Sequence, residues 1–189
     1  MIPRMKVGEA GSFIVTKDIC GQLGMTEREV LQDAKANMER QKFICRDLTE
    51  VVQEIMEEYH MPKSYIDETL YMQSPPFPMY MLTNEAKCDG AAMIVSDRTM
   101  MQARELIGED FYIIPSSRHE VLLLPSSEIP SVGDLKALVQ QVNTETVFKD
   151  DWLSNEVYRY DDLTQRITLA DKKAKLEEKT DKRTKIKGR

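Results

Sequence analysis

The sequence predicts an α+β fold: a mixed or mainly antiparallel sheet with helices packed on it, preceded by a helical N-terminal part. Three observations carry this. Between residues 17 and 59, apolar side chains recur at helical spacing behind recognisable caps. After residue 79 the apolar residues come in short runs, the length of strands. Several of these runs are joined by loops too short for a crossover, so neighbours pair antiparallel and the helices between them cover one face. Strand and helix do not alternate strictly, which excludes a doubly wound nucleotide-binding fold.

Each element follows from local chemistry. Ser12 to Thr16 reads as a short strand, and Thr16 suits the N-cap of a helix through Leu23, stopped by Gly24. Thr26-Glu27-Arg28-Glu29 is a capping box, and the helix it opens carries Val30, Leu31, Ala34 and Met38 to about Arg40. Leu48, Val51, Val52, Ile55, Met56 and Tyr59 form the stripe of a third helix, with Pro62 at its end or in the following turn. Residues 61–78, holding Pro75, Pro76 and Pro78, read as an extended connector. Met79–Thr83 and Ala91–Val95 read as two strands around a loop with Asn84 and Gly90. Asp97 caps a helix closed by Gly108. Phe111–Ile114 and Val121–Leu124 form a strand pair, and the unbroken leucines of the second imply cover on both faces. Ser131 to Asp134 opens a helix, and Val157–Tyr160 is a last strand. The chain thus divides into a strand and helices (1–60), a connector (61–78), an α+β core (79–162) and a charged basic tail (163–189).

The net charge of −6 averages two unlike parts. Residues 171–189 sum to +5 through Lys172, Lys173, Lys175, Lys179, Lys182, Arg183, Lys185, Lys187 and Arg189, and residues 1–170 sum to −11. The hydrophobic content of 41% excludes a wholly disordered chain, and the acidic balance excludes a uniformly basic nucleic-acid coat. No apolar run approaches the ~20 residues of a membrane span, and the N-terminus Met1-Ile2-Pro3-Arg4-Met5-Lys6 lacks the apolar stretch expected of a signal peptide. Three scattered cysteines argue against a disulfide framework, so the expected compartment is the cytoplasm. Twelve methionines read mainly as core filling, with a pliable partner surface as the alternative. The two histidines and three cysteines show no zinc-ligand spacing, and there is no GxxxxGK or GxGxxG. No metal and no cofactor are expected.

Leu82-Thr83-Asn84, Gly90-Ala91-Ala92, the Pro115-Ser116-Ser117-Arg118-His119-Glu120 run, Val142-Asn143 and Val157-Tyr158-Arg159-Tyr160-Asp161 recur in this order in one family. Over residues 1–162 the chain resembles this uncharacterised domain-of-unknown-function family of gut Clostridia. The resemblance implies an intracellular bacterial protein. It brings no activity, cofactor or catalytic residue.

The densest polar cluster is Ser116, Ser117, His119 and Glu120. As an enzyme site it would pair a serine nucleophile with a histidine base. All four share one hairpin without a nucleophile elbow, and a rigid turn held by Pro115 and the serine hydroxyls is the simpler reading. Asn84, Arg118, His119, Asn143, Tyr158 and Tyr160 are the candidate binding residues, with Asn143 equally suited to end its helix and the tyrosines to fill the core. The leading expectation is a non-enzymatic interaction or regulatory protein acting through its acidic body on another protein. A phage or mobile-element inhibitor of a host or defence protein is one form of it. The alternatives are a hydrolase using Ser116, Ser117, His119 and Glu120, and a nucleic-acid-associated protein using residues 171–189. A homo-oligomer is compatible with each, and no membrane association is expected.

Overall fold

A computed structural model describes residues 3–7, 11–73, 77–129, 131–145 and 151–171. Pro75, Pro76 and the basic side chains from Lys172 onward lie outside these residues.

The fold is α+β, built on a six-stranded, wholly antiparallel sheet. A small hairpin, β1 (Arg4–Lys6) with β2 (Ser12–Ile14), opens the chain. Helix α1 (Lys17–Gln22) is capped by the Thr16 hydroxyl, and Gly24 takes a φ of +66° after it. Helix α2 (Glu27–Arg40) starts at the full capping box, with the Glu29 carboxylate accepting from the Thr26 amide at 2.7 Å. Strand β3 (Phe43–Asp47) leads directly into α3 (Leu48–Glu58), because the Asp47 carboxylate caps that helix through Thr49 N at 2.8 Å. Helix α4 (Lys63–Gln73) follows, then β4 (Tyr80–Asn84). Gly90–Val95 is a 3₁₀ helix and α5 (Asp97–Ile107) follows it. Strands β5 (Phe111–Ile114) and β6 (Val121–Pro125) form the expected hairpin. A 3₁₀ turn (Ser126–Glu128), α6 (Val132–Glu145), β7 (Tyr158–Asp161) and β8 (Arg166–Leu169) complete the described chain.

The sheet order is β3-β4-β6-β5-β7-β8. It therefore takes β3 from before the proline-containing segment and β8 from within the stretch expected to be tail, and α4 occupies much of the expected connector. Ala91–Val95 is helical rather than a strand, and Ser96, not Asp97, caps α5 through Thr99 N at 3.1 Å. Asn143 does not end α6: it is buried, and its amide donates to Ser154 O at 3.1 Å and Asn155 Oδ1 at 3.0 Å.

Helices cover both faces of the sheet, not one. On one face Leu82, Phe111, Ile113, Val121, Leu123 and Tyr160 pack with Met93 of the 3₁₀ helix and Met100 and Ala103 of α5. On the other, Tyr112, Ile114 and Leu124 pack with Leu135 and Val139 of α6. The reason is composition: β5 and β6 are apolar at nearly every position, so neither face can be left to water. The methionines divide accordingly, Met100 into the core and Met72 and Met101 to the surface.

The turn after β6 carries a pH-dependent contact. The Glu109 carboxylate accepts from Ser127 Oγ at 2.6 Å, Ser127 N at 2.9 Å and Ser126 Oγ at 3.3 Å. The Ser127 hydroxyl and these further bonds hold its carboxyl below the ordinary glutamate value of 4.5. A depressed carboxyl adds stability above its unfolded-state value, and that stability is lost as pH falls through the folded-state value. Thermal denaturation between about pH 5 and pH 3 should therefore show Glu109→Gln losing less stability on acidification than the wild type. Parallel losses would refute it.

Candidate functional site

The site is assembled at one end of β4 and β6, where the loop 85–90 meets the turn 115–120. Two buried polar side chains at the end of β4 fix the meeting. Asn84 Oδ1 accepts from Cys88 N at 3.1 Å, and Asn84 Nδ2 donates to Cys88 O at 2.8 Å and Gln41 Oε1 at 3.1 Å. Thr83 Oγ1 donates to His119 O at 2.7 Å. Ala91 N donates to Arg118 O at 3.2 Å. Gly90 sits between them with no space for a side chain: a Cβ there would lie 2.5 Å from His119 O and 2.7 Å from Asn84 N, and closest of all to Thr83 Oγ1. Lys87 and Asp89, on either side of Cys88, take positive φ of 49° and 53°. Conformations of that kind persist where surrounding contacts over-determine the backbone, as they do here.

This packing places Cys88 Sγ, an Asp89 carboxylate oxygen and a His119 ring nitrogen all within 4.8 Å of one another. His119 Nδ1 faces the loop and accepts from Asp89 N at 3.3 Å. His119 Nε2 lies 3.4 Å from Asp151 Oδ1. Arg118 Nε is 3.0 Å from the same Asp151 oxygen and 3.7 Å from Asp89 Oδ1. The Arg118 amide also donates to Asp151 O at 2.9 Å. Arg118 Nε also donates to His119 Nε2 at 3.2 Å, so both ring nitrogens face N–H donors, Nδ1 the Asp89 amide and Nε2 the guanidinium.

The serines lie elsewhere in the turn. Ser117 Oγ donates to Glu120 Oε1 at 2.7 Å and accepts from His119 N at 3.0 Å, and Ser117 N donates to Glu120 O at 3.2 Å. Ser117 and Glu120 thus close the turn on itself. The imidazole is turned toward Cys88, Asp89 and Asp151, and Ser116 is half-buried. Of the expected binding residues, Asn84 acts as a clamp inside the chain, while Arg118 and His119 belong to the cluster. Tyr160 is buried and stacks on Phe111 with centroids 5.1 Å apart, and Tyr158 packs against the same core. In the sequence Cys88 is one of three scattered cysteines and Asp151 belongs to the carboxylate pair Asp150-Asp151 at an element boundary, while Asp89 carries no signal of its own.

A groove of about 550 Å³ opens beside this cluster. Its apolar walls include Met5, Val15, Leu23, Met25 and Met38, and Asn84, Cys88 and Asp89 line it. Of the three cysteines, all free thiols, Cys88 is exposed and Cys20 is buried, while burial pushes the Cys45 thiol up to about 11.

A second surface stands out at the β3 edge. Helix α3 packs on β3, β4 and α4, burying Val51 and Met56. Val52, Ile55 and Tyr59, which lie between them on the same helical stripe, stay exposed. Tyr65, Tyr71 and Met72 of α4 are exposed as well, Tyr71 by 87% and Met72 by 74%. Residues 48–73 also hold Glu50, Glu54, Glu57, Glu58, Asp67 and Glu68 against the single cation Lys63. Arg46 of β3 pairs with Glu54 at 2.6 Å and Glu50 at 3.4 Å.

Among the described residues no helix is long and apolar enough to cross a membrane. A model of a family of unknown function, DUF5688, matches residues 2–162. No curated protein and no solved structure matches the chain.

Proposed function

We propose that this chain, which belongs to the family of unknown function DUF5688, is a non-enzymatic interaction protein whose α3–α4 face binds a basic, amphipathic segment of another protein. The observation that carries the reading is the apolar stripe of α3. Its margins, Val51 and Met56, are buried, while its centre, Val52, Ile55 and Tyr59, faces solvent. An amphipathic helix normally turns the whole of such a stripe inward. Exposed aromatic residues and methionines of this kind are the residue types enriched in binding surfaces. The surrounding carboxylates select the sign of the partner's charge and exclude acidic competitors. Residues 48–73 account for −5 of the −11 carried by residues 1–170.

The test is direct. A photoreactive phenylalanine at Tyr59 or Tyr65 should cross-link a partner, and the cross-linked segment should be basic and amphipathic. Made as a synthetic peptide, that segment should bind the wild-type chain. The triple variant Glu58→Lys, Asp67→Lys, Glu68→Lys should bind it at least about tenfold more weakly, through a slower association rate and a lost salt dependence. An acidic cross-linked segment, or affinity unchanged by charge reversal, would sink the reading.

A further inference from the structure

We infer that Cys88, Asp89 and His119 form a binding site for a divalent transition-metal ion of the zinc class, with Asp151 orienting the imidazole. The donor set is one thiolate, one carboxylate and one imidazole, the mixture of soft and borderline ligands that suits zinc rather than magnesium or calcium. Their ligand atoms lie within 4.8 Å of one another. A tetrahedral zinc ion holds such atoms roughly 3.3–3.8 Å apart. Side-chain tips therefore need to close by only about 1 Å, and the backbones that present them are already fixed.

That fixation is the second support. Asn84 holds both the N–H and the C=O of Cys88, and Thr83 and Gly90 lock the 85–90 loop onto the backbone of His119. A third support lies behind the ring. The Asp151 carboxylate lies 3.4 Å from Nε2, and it becomes the partner that metal-bound histidines generally have on their second nitrogen once Arg118 Nε, which donates to Nε2 at 3.2 Å, turns fully to Asp151. It leaves the Nδ1 lone pair facing the loop that carries the other two ligands.

The electrostatics separate this reading from a nucleophilic thiol. Reactive thiolates sit beside cations. The Cys88 thiol instead donates to the Asp89 carboxylate, 3.9 Å away. A dication satisfies thiolate and carboxylate together. Arg118 has its shorter contact with Asp151, at 3.0 Å against 3.7 Å to Asp89, so it can stay on Asp151 while Asp89 turns to the ion. Binding deprotonates the thiol and releases its proton to solvent.

Cobalt(II) is the probe. Titrated into the full chain, it should bind at one ion per chain, with visible bands of tetrahedral cobalt and thiolate-to-cobalt charge transfer, and zinc should displace it. Cys88→Ser should abolish the charge-transfer band while melting as the wild type does, since Cys88 is exposed. Asp151→Asn should keep the band and weaken affinity by roughly tenfold or more, the usual effect of removing a carboxylate behind a ligating histidine. Zinc should also protect Cys88 from alkylation. Absence of binding at stoichiometric cobalt, a charge-transfer band that survives in Cys88→Ser, or alkylation at the same rate with and without zinc would each overturn the site.

Discussion

Replacing Gly90 with alanine is expected to destabilise the protein by about 3 kcal/mol, the upper part of the range for overpacked positions. The added methyl carbon would meet two pieces of backbone, His119 O and Asn84 N, at 2.5 and 2.7 Å, together with the Thr83 hydroxyl. None is the free end of a flexible side chain. Relief requires the 85–90 loop to move off the 115–120 turn, which breaks the Thr83–His119 and Ala91–Arg118 hydrogen bonds. For a chain of this length the expected drop in Tm is roughly 6–12 °C. The same displacement separates Cys88 and Asp89 from His119. Scanning calorimetry checks the stability, and an unchanged Tm would show that the loop and turn are not wedged together.

The second large effect is expected at Phe111. Phe111→Ala should cost about 3–5 kcal/mol by chemical denaturation, as large-to-small aromatic substitutions in cores do. Phe111 is fully buried on β5 and pairs with Tyr160 of β7 directly across the strands. Their rings stack at an interplanar angle of 19°. The cavity would open within the cluster on the α5 face, where Ala103 is too short and Leu82, Val121 and Leu123 are themselves fully buried, which leaves Met93 and Met100 as the side chains able to shift toward it. Phe111→Leu should recover more than half of the loss. A cost below about 1 kcal/mol for Phe111→Ala would mean that this face of the sheet packs loosely.

How much of this was legible depended on how local the determinant was. The caps at Thr16 and at Thr26 with Glu29, and the closing glycine at 108, act within one turn of chain, and each was readable from the sequence. The β5–β6 hairpin was readable for the same reason, its two apolar runs lying six residues apart. Gly90–Val95 misled because a short apolar run with Ile and Val has strand composition. What makes it helical is the seat of Gly90 against β4 and the His119 turn, contacts that no window of sequence contains. Strand β3 is five residues between two helices, separated from α2 by Gln41 and Lys42 alone, with Asp47 serving as strand end and helix cap at once, so no glycine or proline marks either side of it. Helix α4 buries Ile66 but exposes Tyr65, Tyr71 and Met72, which blurs its stripe. The candidate site was half visible. His119 drew notice through the residues beside it in sequence, yet its ring turns to Asp89, thirty positions earlier, and to Asp151. No ligand spacing announces that set, because the fold alone creates it.

The outermost strand has a consequence for how the family's shared region stands on its own. The match ends at residue 162, whereas β8 spans Arg166–Leu169 and pairs along the whole of β7. Ala170, just beyond it, is buried and donates to Val157 O at 3.0 Å. A chain ending at the family boundary would leave the outer N–H and C=O groups of β7 unpaired, a template onto which a strand of another molecule could add. In this protein a segment outside the matched region covers that edge of β7, and β8 itself becomes the outer strand of the sheet.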